Sequence, residues 1–359
     1  MRVLVMAGGT GGHVFPAMAI VKELQQRGVE VEWLGTRGRI EEKVVPEAGI
    51  TINYIDVKGV RGNGIMTKLK APFMITHAVL QARQVLKRFQ PDVVIGFGGY
   101  ASGPGGVAAA LQGIPLLLHE QNAAAGLTNR LLARFSSKIL LGVGAAFSGP
   151  KVESVGNPVR ADIAKLFTED KAFIHDDGAT RILILGGSLG AKVLNEQVPA
   201  ALQLFTPEEL IKSSLKVMHQ CGKGQSEATA KRYEGSQFTV TTSDFISDMA
   251  TAYREADLII CRAGASTISE LSAVKLPAIL VPLPTAVDDH QTKNALTLVN
   301  AGAAKLLAQS ELTPERLHDL ILEIRAPETL KQMSEAAATQ EHLNATTRVC
   351  DLIVASAKQ

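Results

Sequence analysis

The chain has 359 residues, of which 46% are hydrophobic, and a net charge of +2. This length favours two domains, and the composition excludes a disordered or fibrous protein. The small net charge argues against a general nucleic-acid binder. Three separated cysteines offer neither a disulfide framework nor a structural zinc site, which is typical of a reducing cytoplasm. No apolar run reaches the length of a membrane span, and the start lacks a signal-peptide pattern.

The first elements predict a doubly wound α/β domain. Residues 2–7 form a buried-strand pattern that leads into a glycine turn at residues 8–13. A helix is predicted over residues 14–27 and a second strand over residues 29–34. The turn lacks the third glycine of a dinucleotide fingerprint and the lysine of a P-loop, so neither NAD nor ATP is indicated.

A long helical segment is predicted over residues 65–89, and we expect Pro72 to split it. Ile75 and four later apolar positions have the spacing of a core-facing stripe. The basic residues of this segment have two interpretations, a solvated face or a surface that lies on anionic lipid.

Two further stretches place glycine or polar residues after predicted strands. Residues 96–106 are rich in glycine and follow a strand at 92–95, which allows the backbone to approach a ligand closely. His119, Glu120, Gln121 and Asn122 follow a strand at 115–118. Open α/β sheets bind their ligands at these strand ends.

The second half repeats this architecture. Residues 155–160 are interpreted as the exit from the first domain, and residues up to 180 as a linker. A strand at 181–185 is followed by a glycine turn at 186–190 and a helix from about Ala191. Helix-forming residues dominate beyond Thr313. Two doubly wound domains in tandem are therefore predicted.

The segment 258–270 carries the clearest ligand signal. A strand at 258–261 ends in a turn, and a helix then begins with Ala265, Ser266 and Thr267. The N-terminus of such a helix suits a phosphate, and Glu270 follows at a distance suited to sugar hydroxyls. A strand at 277–282 and a polar loop at 288–291 add further polar groups. A nucleotide-sugar site is predicted, although a tight turn without a ligand is the alternative.

Taken together, several motifs resemble one family. They are GGTGGHVFP, GGYASGPGG, HEQN, GNPVR, GGSLGA and CRAGASTISE followed by DDHQTKNA. In this order they resemble the MurG family of N-acetylglucosaminyltransferases, within glycosyltransferase family 28. The resemblance implies an α/β GT-B fold, with two Rossmann-like doubly wound domains that face each other across a cleft. It places an acceptor and membrane-side domain at residues 1–160, with a last helix at about 340–359 packing back on it. The donor domain would span residues 161–339.

The resemblance also implies a reaction. The family is inverting and metal-independent, needs no cofactor, and transfers N-acetylglucosamine from UDP-N-acetylglucosamine to lipid I in peptidoglycan synthesis. Such a transfer needs a base for the acceptor hydroxyl and positive charge or dipoles for the leaving diphosphate.

Site residues follow by the same resemblance. Ser188, Ser266 and Thr267 would lie against the diphosphate, and Arg160 would help to offset its charge. Ala265, Ile268 and Ser269 are also expected among the substrate-binding residues. Glu270 would bind the ribose hydroxyls, Ile246 the uracil, and Gln291 with His290 the N-acetylglucosamine hydroxyls. Thr10, Gly11, Gly12 and Asn122 would lie on the acceptor side. Two positions depart from the pattern, Leu189 in place of Gln and Ala263 in place of Ser, and we expect them to alter donor affinity only.

For the base we choose His13, because a neutral imidazole suits proton removal at cytoplasmic pH. A histidine that only bonds a neighbour at a helix start is the alternative. His119 and Glu120 are rival candidates for the base, and Glu120 would otherwise orient the acceptor.

The lipid acceptor implies a peripheral protein at the cytoplasmic face of the inner membrane. Contact would be made through the basic and apolar segment near residues 65–88, and a cell-wall synthesis complex is a further expected partner. Competing interpretations are another GT-B enzyme, such as a glycolipid synthase or a UDP-N-acetylglucosamine 2-epimerase, and a non-enzymatic nucleotide-sugar sensor or scaffold.

Overall fold

The computed structural model describes residues 1–57, 65–187, 190–338 and 342–357, of which residues 65–70 are described by their backbone alone. The chain divides into two compact units. The first, unit 1, contains residues 1–159 and 341–359, and the second, unit 2, contains residues 160–340. None of the helices in the described part of the chain combines the length and apolar character that a bilayer-spanning segment needs.

Unit 1 is built on a parallel sheet of seven strands in the order β3-β2-β1-β4-β5-β6-β7. Its elements are β1 Arg2–Ala7, α1 Gly11–Gln26, β2 Glu30–Gly35, α2 Ile40–Glu47, β3 Thr51–Tyr54, α3 Ile65–Phe89, β4 Val93–Gly98, α4 Ser102–Leu111, β5 Leu116–Glu120, α5 Leu127–Leu132, β6 Lys138–Leu141 and β7 Val152–Ser154.

Unit 2 is built on a parallel sheet of six strands in the order β10-β9-β8-β11-β12-β13. Its elements are α6 Ala161–Ala164 with a 3-10 turn at Lys165–Thr168, β8 Ala179–Leu185, α7 Lys192–Leu202, α8 Pro207–Lys212, β9 Ser214–Gln220, α9 Ser226–Arg232, β10 Thr239–Ser243, α10 Met249–Glu255, β11 Leu258–Cys261, α11 Ala265–Val274, β12 Ala278–Leu280, a 3-10 turn at Val287–Asp289, α12 His290–Ala301, β13 Ala304–Leu306, a 3-10 turn at Gln309–Glu311, α13 Pro314–Ile324 and α14 Pro327–Ala337.

The last helix, α15 at Ala345–Ala357, belongs to unit 1. Alternate residues of β1 serve two separate cores, since successive side chains of a strand point to opposite faces. Val3 and Val5 pack with α1 and with Val349 and Ile353 of α15. On the other face, Leu4 packs in a cluster that α3 and α4 complete. Both faces of the sheet are therefore covered, as a parallel sheet requires.

The strand orders confirm the predicted α/β class with two doubly wound sheets. In unit 1 the winding reverses between β1 and β4, and in unit 2 between β8 and β11. At such a reversal the loops after the two central strands diverge and leave a crevice at the carboxyl ends of the strands. Each unit therefore has such a crevice, which is the expected ligand position of that unit, and the glycine turns lie there.

Three predicted boundaries are corrected. Helix α1 begins at Gly11, three residues earlier than expected, because the extended Thr10 accepts hydrogen bonds from the amides of His13 and Val14. Pro72 lies within the continuous helix α3 and does not split it. The polar loop expected at residues 288–291 instead ends at Asp289, and His290 begins α12.

The segment after residue 160 is not a free linker. Ile163 and Leu166 are buried, and the ammonium of Lys171 donates hydrogen bonds to the carbonyls of Tyr253 and Arg254. Burial lowers the pKa of Lys171 to about 8. The charged composition suggested a linker, but these side chains hold the segment against unit 2.

Candidate functional site

The ligand position of unit 1 is formed by the turns after β1 and β4. Gly99 has a φ of +88°, and a Cβ atom there would lie 2.2 Å from the carbonyl oxygen of Gly8. Only glycine permits this approach, so the two turns pack directly on each other. Thr10, Gly11 and Gly12 form the start of α1, whose first amides have no carbonyl partner within the helix.

His13 lies in the first turn of α1, partly exposed at this position. Its Nδ1 atom is 3.3 Å from the carbonyl oxygen of Gly8. Because a carbonyl only accepts, Nδ1 carries the proton in this contact and the lone pair lies on Nε2. The Nε2 atom lies toward the β4 turn, 3.1 Å from where a Cβ of Gly98 would be. This tautomer is the one that a proton acceptor at Nε2 requires.

His119 is fully buried within β5 and does not reach the ligand position. Its ring stacks on Phe97 with a centroid distance of 5.2 Å, and its Nε2 atom donates to the carbonyl of Gly156 at 3.1 Å. Burial lowers the pKa of His119 to about 4. These contacts give His119 a structural role.

Glu120 ends β5 and is almost fully buried. Its carboxylate accepts hydrogen bonds from the amide and side chain of Asn122, the amide of Gly126 and the side chain of Asn129. These bonds shape the loop that carries Asn122. The carboxylate is thus committed to the loop that carries Asn122, and the predicted roles of Glu120 as base or in orienting the acceptor stay predictions.

The ligand position of unit 2 is formed by the turns after β8 and β11. Ser188 and Leu189 lie outside the described residues. Gly190 has a φ of +74°, and a Cβ there would lie 2.3 Å from the carbonyl oxygen of Cys221. The glycine is required because this turn packs on the backbone that follows β9.

Helix α11 begins directly after Gly264, which supplies no side-chain cap. The first amides of the helix, including those of Ala265, Ser266 and Thr267, are thereby directed to the carboxyl end of the sheet. The side chains of Ile268 and Ser269 are buried, and the Ser269 hydroxyl donates to the carbonyl of Ala265 at 3.0 Å. The Ile268 and Ser269 side chains therefore pack within unit 2, and their predicted substrate contact stays a prediction.

Glu270 is held by two neighbours. Its Oε2 atom accepts a 2.8 Å hydrogen bond from the hydroxyl of Tyr253, and its Oε1 atom lies 3.9 Å from Nε of Arg160. Burial raises the pKa of Glu270, while the hydrogen bond from Tyr253 and the positive charge of Arg160 oppose this shift. The structure thus brings Arg160 and Glu270 together. Tyr253 was missed from the sequence, where a tyrosine on an amphipathic helix carries no special signal.

The remaining predicted donor residues are Ile246, on the loop before α10, and His290 and Gln291, the first residues of α12. Ile246 is partly buried between β10 and α10. The Gln291 side-chain oxygen accepts from the amide of Leu283 at 2.9 Å, and Nδ1 of His290 donates to the carbonyl of Val287 at 2.8 Å. Both residues therefore shape the loop between β12 and α12. Within the described ranges, no group of three or more histidine, cysteine, aspartate or glutamate residues is placed to hold a metal ion.

Comparison with known proteins identifies the family. The chain matches the model of the glycosyltransferase family 28 N-terminal domain over residues 3–141 and that of the C-terminal domain over residues 181–349. This chain belongs to glycosyltransferase family 28. Among its relatives is the UDP-N-acetylglucosamine--N-acetylmuramyl-(pentapeptide) pyrophosphoryl-undecaprenol N-acetylglucosamine transferase of Aeromonas hydrophila. The two are 52% identical over 97% of this chain and 95% of the relative.

A second relative of the same name, from Shewanella pealeana, is 48% identical over 100% of this chain and 98% of its own length. The crystal structure of Acinetobacter baumannii MurG matches with a TM-score of 0.87 and 43% identity, covering 99% of each chain. The resemblance to the MurG branch of family 28, the GT-B fold class and the glycosyltransferase activity predicted from the sequence are thereby confirmed.

Proposed function

We propose that this family 28 enzyme transfers N-acetylglucosamine from UDP-N-acetylglucosamine to lipid I and so forms lipid II for peptidoglycan synthesis. The observation that carries this proposal is the full-length identity of about half to relatives that bear the name of this transferase. Two switch-point ligand positions, one in each unit, match a reaction that joins two large substrates.

The donor is assigned to unit 2. The N-terminus of α11 favours the negative charge of the diphosphate, both as it binds and as it leaves. Arg160 lies at the edge of the same group and adds a positive charge. Glu270, fixed by Tyr253, accepts hydrogen bonds from the ribose hydroxyls. Ser188, Ile246 and Gln291 keep their predicted roles at the diphosphate, uracil and sugar.

The acceptor and the base are assigned to unit 1. The 4-hydroxyl of the N-acetylmuramyl sugar attacks the anomeric carbon of N-acetylglucosamine. As this bond forms, the bond from that carbon to the diphosphate oxygen breaks, with inversion, and UDP leaves. Nε2 of His13 takes the hydroxyl proton. Thr10, Gly11, Gly12 and Asn122 bind the acceptor around it.

The lipid acceptor places the reaction at the cytoplasmic face of the cell membrane. The support for a contact surface is helix α3, on which Phe73 is 81% exposed and Leu80 is 50% exposed. Arg83 and Lys87 are exposed on the same helix. Apolar side chains beside cations suit an anionic lipid surface. The expected cell-wall synthesis complex stays a prediction.

The test measures transfer of labelled N-acetylglucosamine to a short-chain lipid I analogue, with EDTA present, by wild type and His13→Ala. We expect product from wild type. We expect His13→Ala to lower kcat by about 10²–10⁴-fold, as for a lost general base, while UDP binding is unchanged. A rate for His13→Ala near that of wild type would mean that another group is the base. No product from a folded, UDP-binding wild type would contradict the transferase and leave a nucleotide-sugar sensor.

A further inference from the structure

A buried carboxylate holds the glycine turn after β1. Glu41, in the first turn of α2, is fully buried in unit 1. Its Oε2 atom accepts a 3.0 Å hydrogen bond from the amide of Gly9, and its Oε1 atom accepts from the amide and the hydroxyl of Thr36 at 3.2 and 2.9 Å. A Cβ atom at Gly8 would lie 2.4 Å from Oε1. The carboxylate therefore lies directly against the turn.

The amide of Gly9 and the carbonyl of Gly8 belong to the same peptide group. Its N–H donates to Glu41, and its oxygen faces Nδ1 of His13 at 3.3 Å. A carboxylate that accepts from an amide N–H polarises the amide and strengthens its oxygen as an acceptor. The imidazole is thereby connected to a buried negative charge through one planar unit. A carboxylate that bonds a histidine directly fixes its orientation in the same way.

We propose that Glu41 is a positioning residue that orients His13 and increases its basicity through the Gly8–Gly9 peptide. The catalytic meaning of this bridge rests on the proposed function, in which His13 is the base. The physical connection does not. By anchoring the peptide from the side opposite to His13, Glu41 keeps the proton on Nδ1 and the lone pair on Nε2.

The elements packed around the start of α1 carry other ionisable groups. Arg39 precedes α2, and its guanidinium is 5.7 Å from the ring of Tyr100, which follows β4. Arg37 pairs with Glu42 on the exposed side of α2. Glu120 ends β5 and is committed to its own loop. On α15, Asp351 pairs with Arg27 at the opposite end of α1.

The test compares the full-length wild type with Glu41→Gln, which keeps the side-chain shape and removes the charge. Glu32→Gln is the matched control, because Glu32 is a largely buried carboxylate of the same sheet that bonds Asn53 and Arg88 instead of the turn. Two readouts are the NMR titration of the His13 imidazole and the pH profile of transfer. We expect Glu41→Gln to lower the midpoint of the His13 titration by about half a unit or more.

We also expect Glu41→Gln to lower kcat by about 10-fold or more, as for other carboxylates that orient a functional histidine, with the KM for UDP-N-acetylglucosamine unchanged. The ascending limb of the kcat/KM profile should shift with the imidazole titration. A purely structural role would lower activity without that shift. A folded Glu41→Gln with the wild-type His13 titration would overturn the proposal, as would an equal shift in Glu32→Gln.

If Glu41→Gln fails to fold, the proposal can still be tested by a measurement on the wild-type protein. The ¹⁵N shift of the Gly9 amide should titrate with the same midpoint as His13, because protonation of the imidazole strengthens its bond to the shared peptide. A ¹⁵N shift of the Gly9 amide that does not change as His13 titrates would contradict the proposed connection through the Gly8–Gly9 peptide. The two proposals can fail separately. If Glu41→Gln shifts the His13 titration but the wild type forms no lipid II, only the proposed function is contradicted. If the wild type forms lipid II but Glu41→Gln leaves the His13 titration unshifted, only the connection through the Gly8–Gly9 peptide is contradicted.

Discussion

Two buried histidines, His119 in unit 1 and His219 in unit 2, make the free energy of unfolding depend on pH in the acidic range. The folded pKa of His119 is about 4, since burial disfavours the imidazolium, whereas the pKa in the unfolded chain is near 6.5. Between these values the unfolded chain binds more protons than the folded one. The free energy of unfolding therefore falls as the pH is lowered through this window. His219 in unit 2 has the same shift for the same reason.

For His119 the loss between pH 7.5 and pH 5 should be about 2 kcal/mol. It can be measured by urea unfolding followed through the fluorescence of Trp33, the one tryptophan of the chain, which is buried in unit 1. His119→Asn should lose about 2 kcal/mol less than wild type over this pH range. His77→Asn, at an exposed position of α3, is the control and should behave as wild type. Equal pH dependence in all three proteins would contradict the assignment.

At the scale of elements, α3 illustrates how far a sequence pattern extends. Ala82, Leu86 and Phe89 are buried as the helical spacing predicts, and Val79 is partly buried. Ile75 is 43% exposed, although it was expected in the core. Arg88 is not part of a free basic face, since it donates to Glu32 and Asn53. The helix period predicts which face is apolar. It does not indicate how wide a stripe the neighbouring elements cover.

The exposed aromatic ring of α3 gives a direct test of membrane contact. Phe73→Ser should weaken binding to anionic vesicles about 10-fold or more at low salt, because an inserted phenylalanine side chain contributes about 1.5–3 kcal/mol. Sedimentation with vesicles measures this. Ile211→Ser is the matched control, because Ile211 is 85% exposed but lies in unit 2. Equal effects of the two substitutions would argue against a contact through α3.

At the scale of the molecule, the chain returns to unit 1 at its end. Val349, Cys350 and Ile353 of α15 are fully buried against α1 and the sheet of unit 1. The stability of unit 1 therefore depends on residues that lie almost 200 positions beyond its last strand. Unit 2 has a separate core, formed by residues of β8, β9, β11, α7 and α13.

Because the two units have separate cores, a cavity in one core should destabilise only the unit that contains it. Ile353→Ala should destabilise unit 1 by about 2–5 kcal/mol, as for other large-to-small core substitutions. Hydrogen exchange should then increase in β1–β7 and α1, while β8–β13 keep their protection. Ile324→Ala, at a fully buried position of α13, is the reciprocal control and should affect unit 2 alone. Faster exchange in both sheets of either variant would mean that the units do not open independently.

The sequence alone determined the central strands with the turns that follow them, the two doubly wound sheets and the family. Strand periodicity and glycine turns are local features, and a parallel α/β chain leaves few topologies open. The same argument predicted the two switch-point crevices, because glycine turns follow the central strands β1, β4, β8 and β11.

Tertiary structure alone decided which side chains those positions contain. The rotation of α11 about its own axis buries the side chains of Ile268 and Ser269 and directs that of Glu270 to Tyr253. Packing also commits Glu120 to its own loop and brings Glu41 to the amide of Gly9, 32 positions away. Such pairs form because a buried carboxylate must find donors wherever the fold provides them. That choice depends on distance in space, which periodicity and spacing along the chain do not encode.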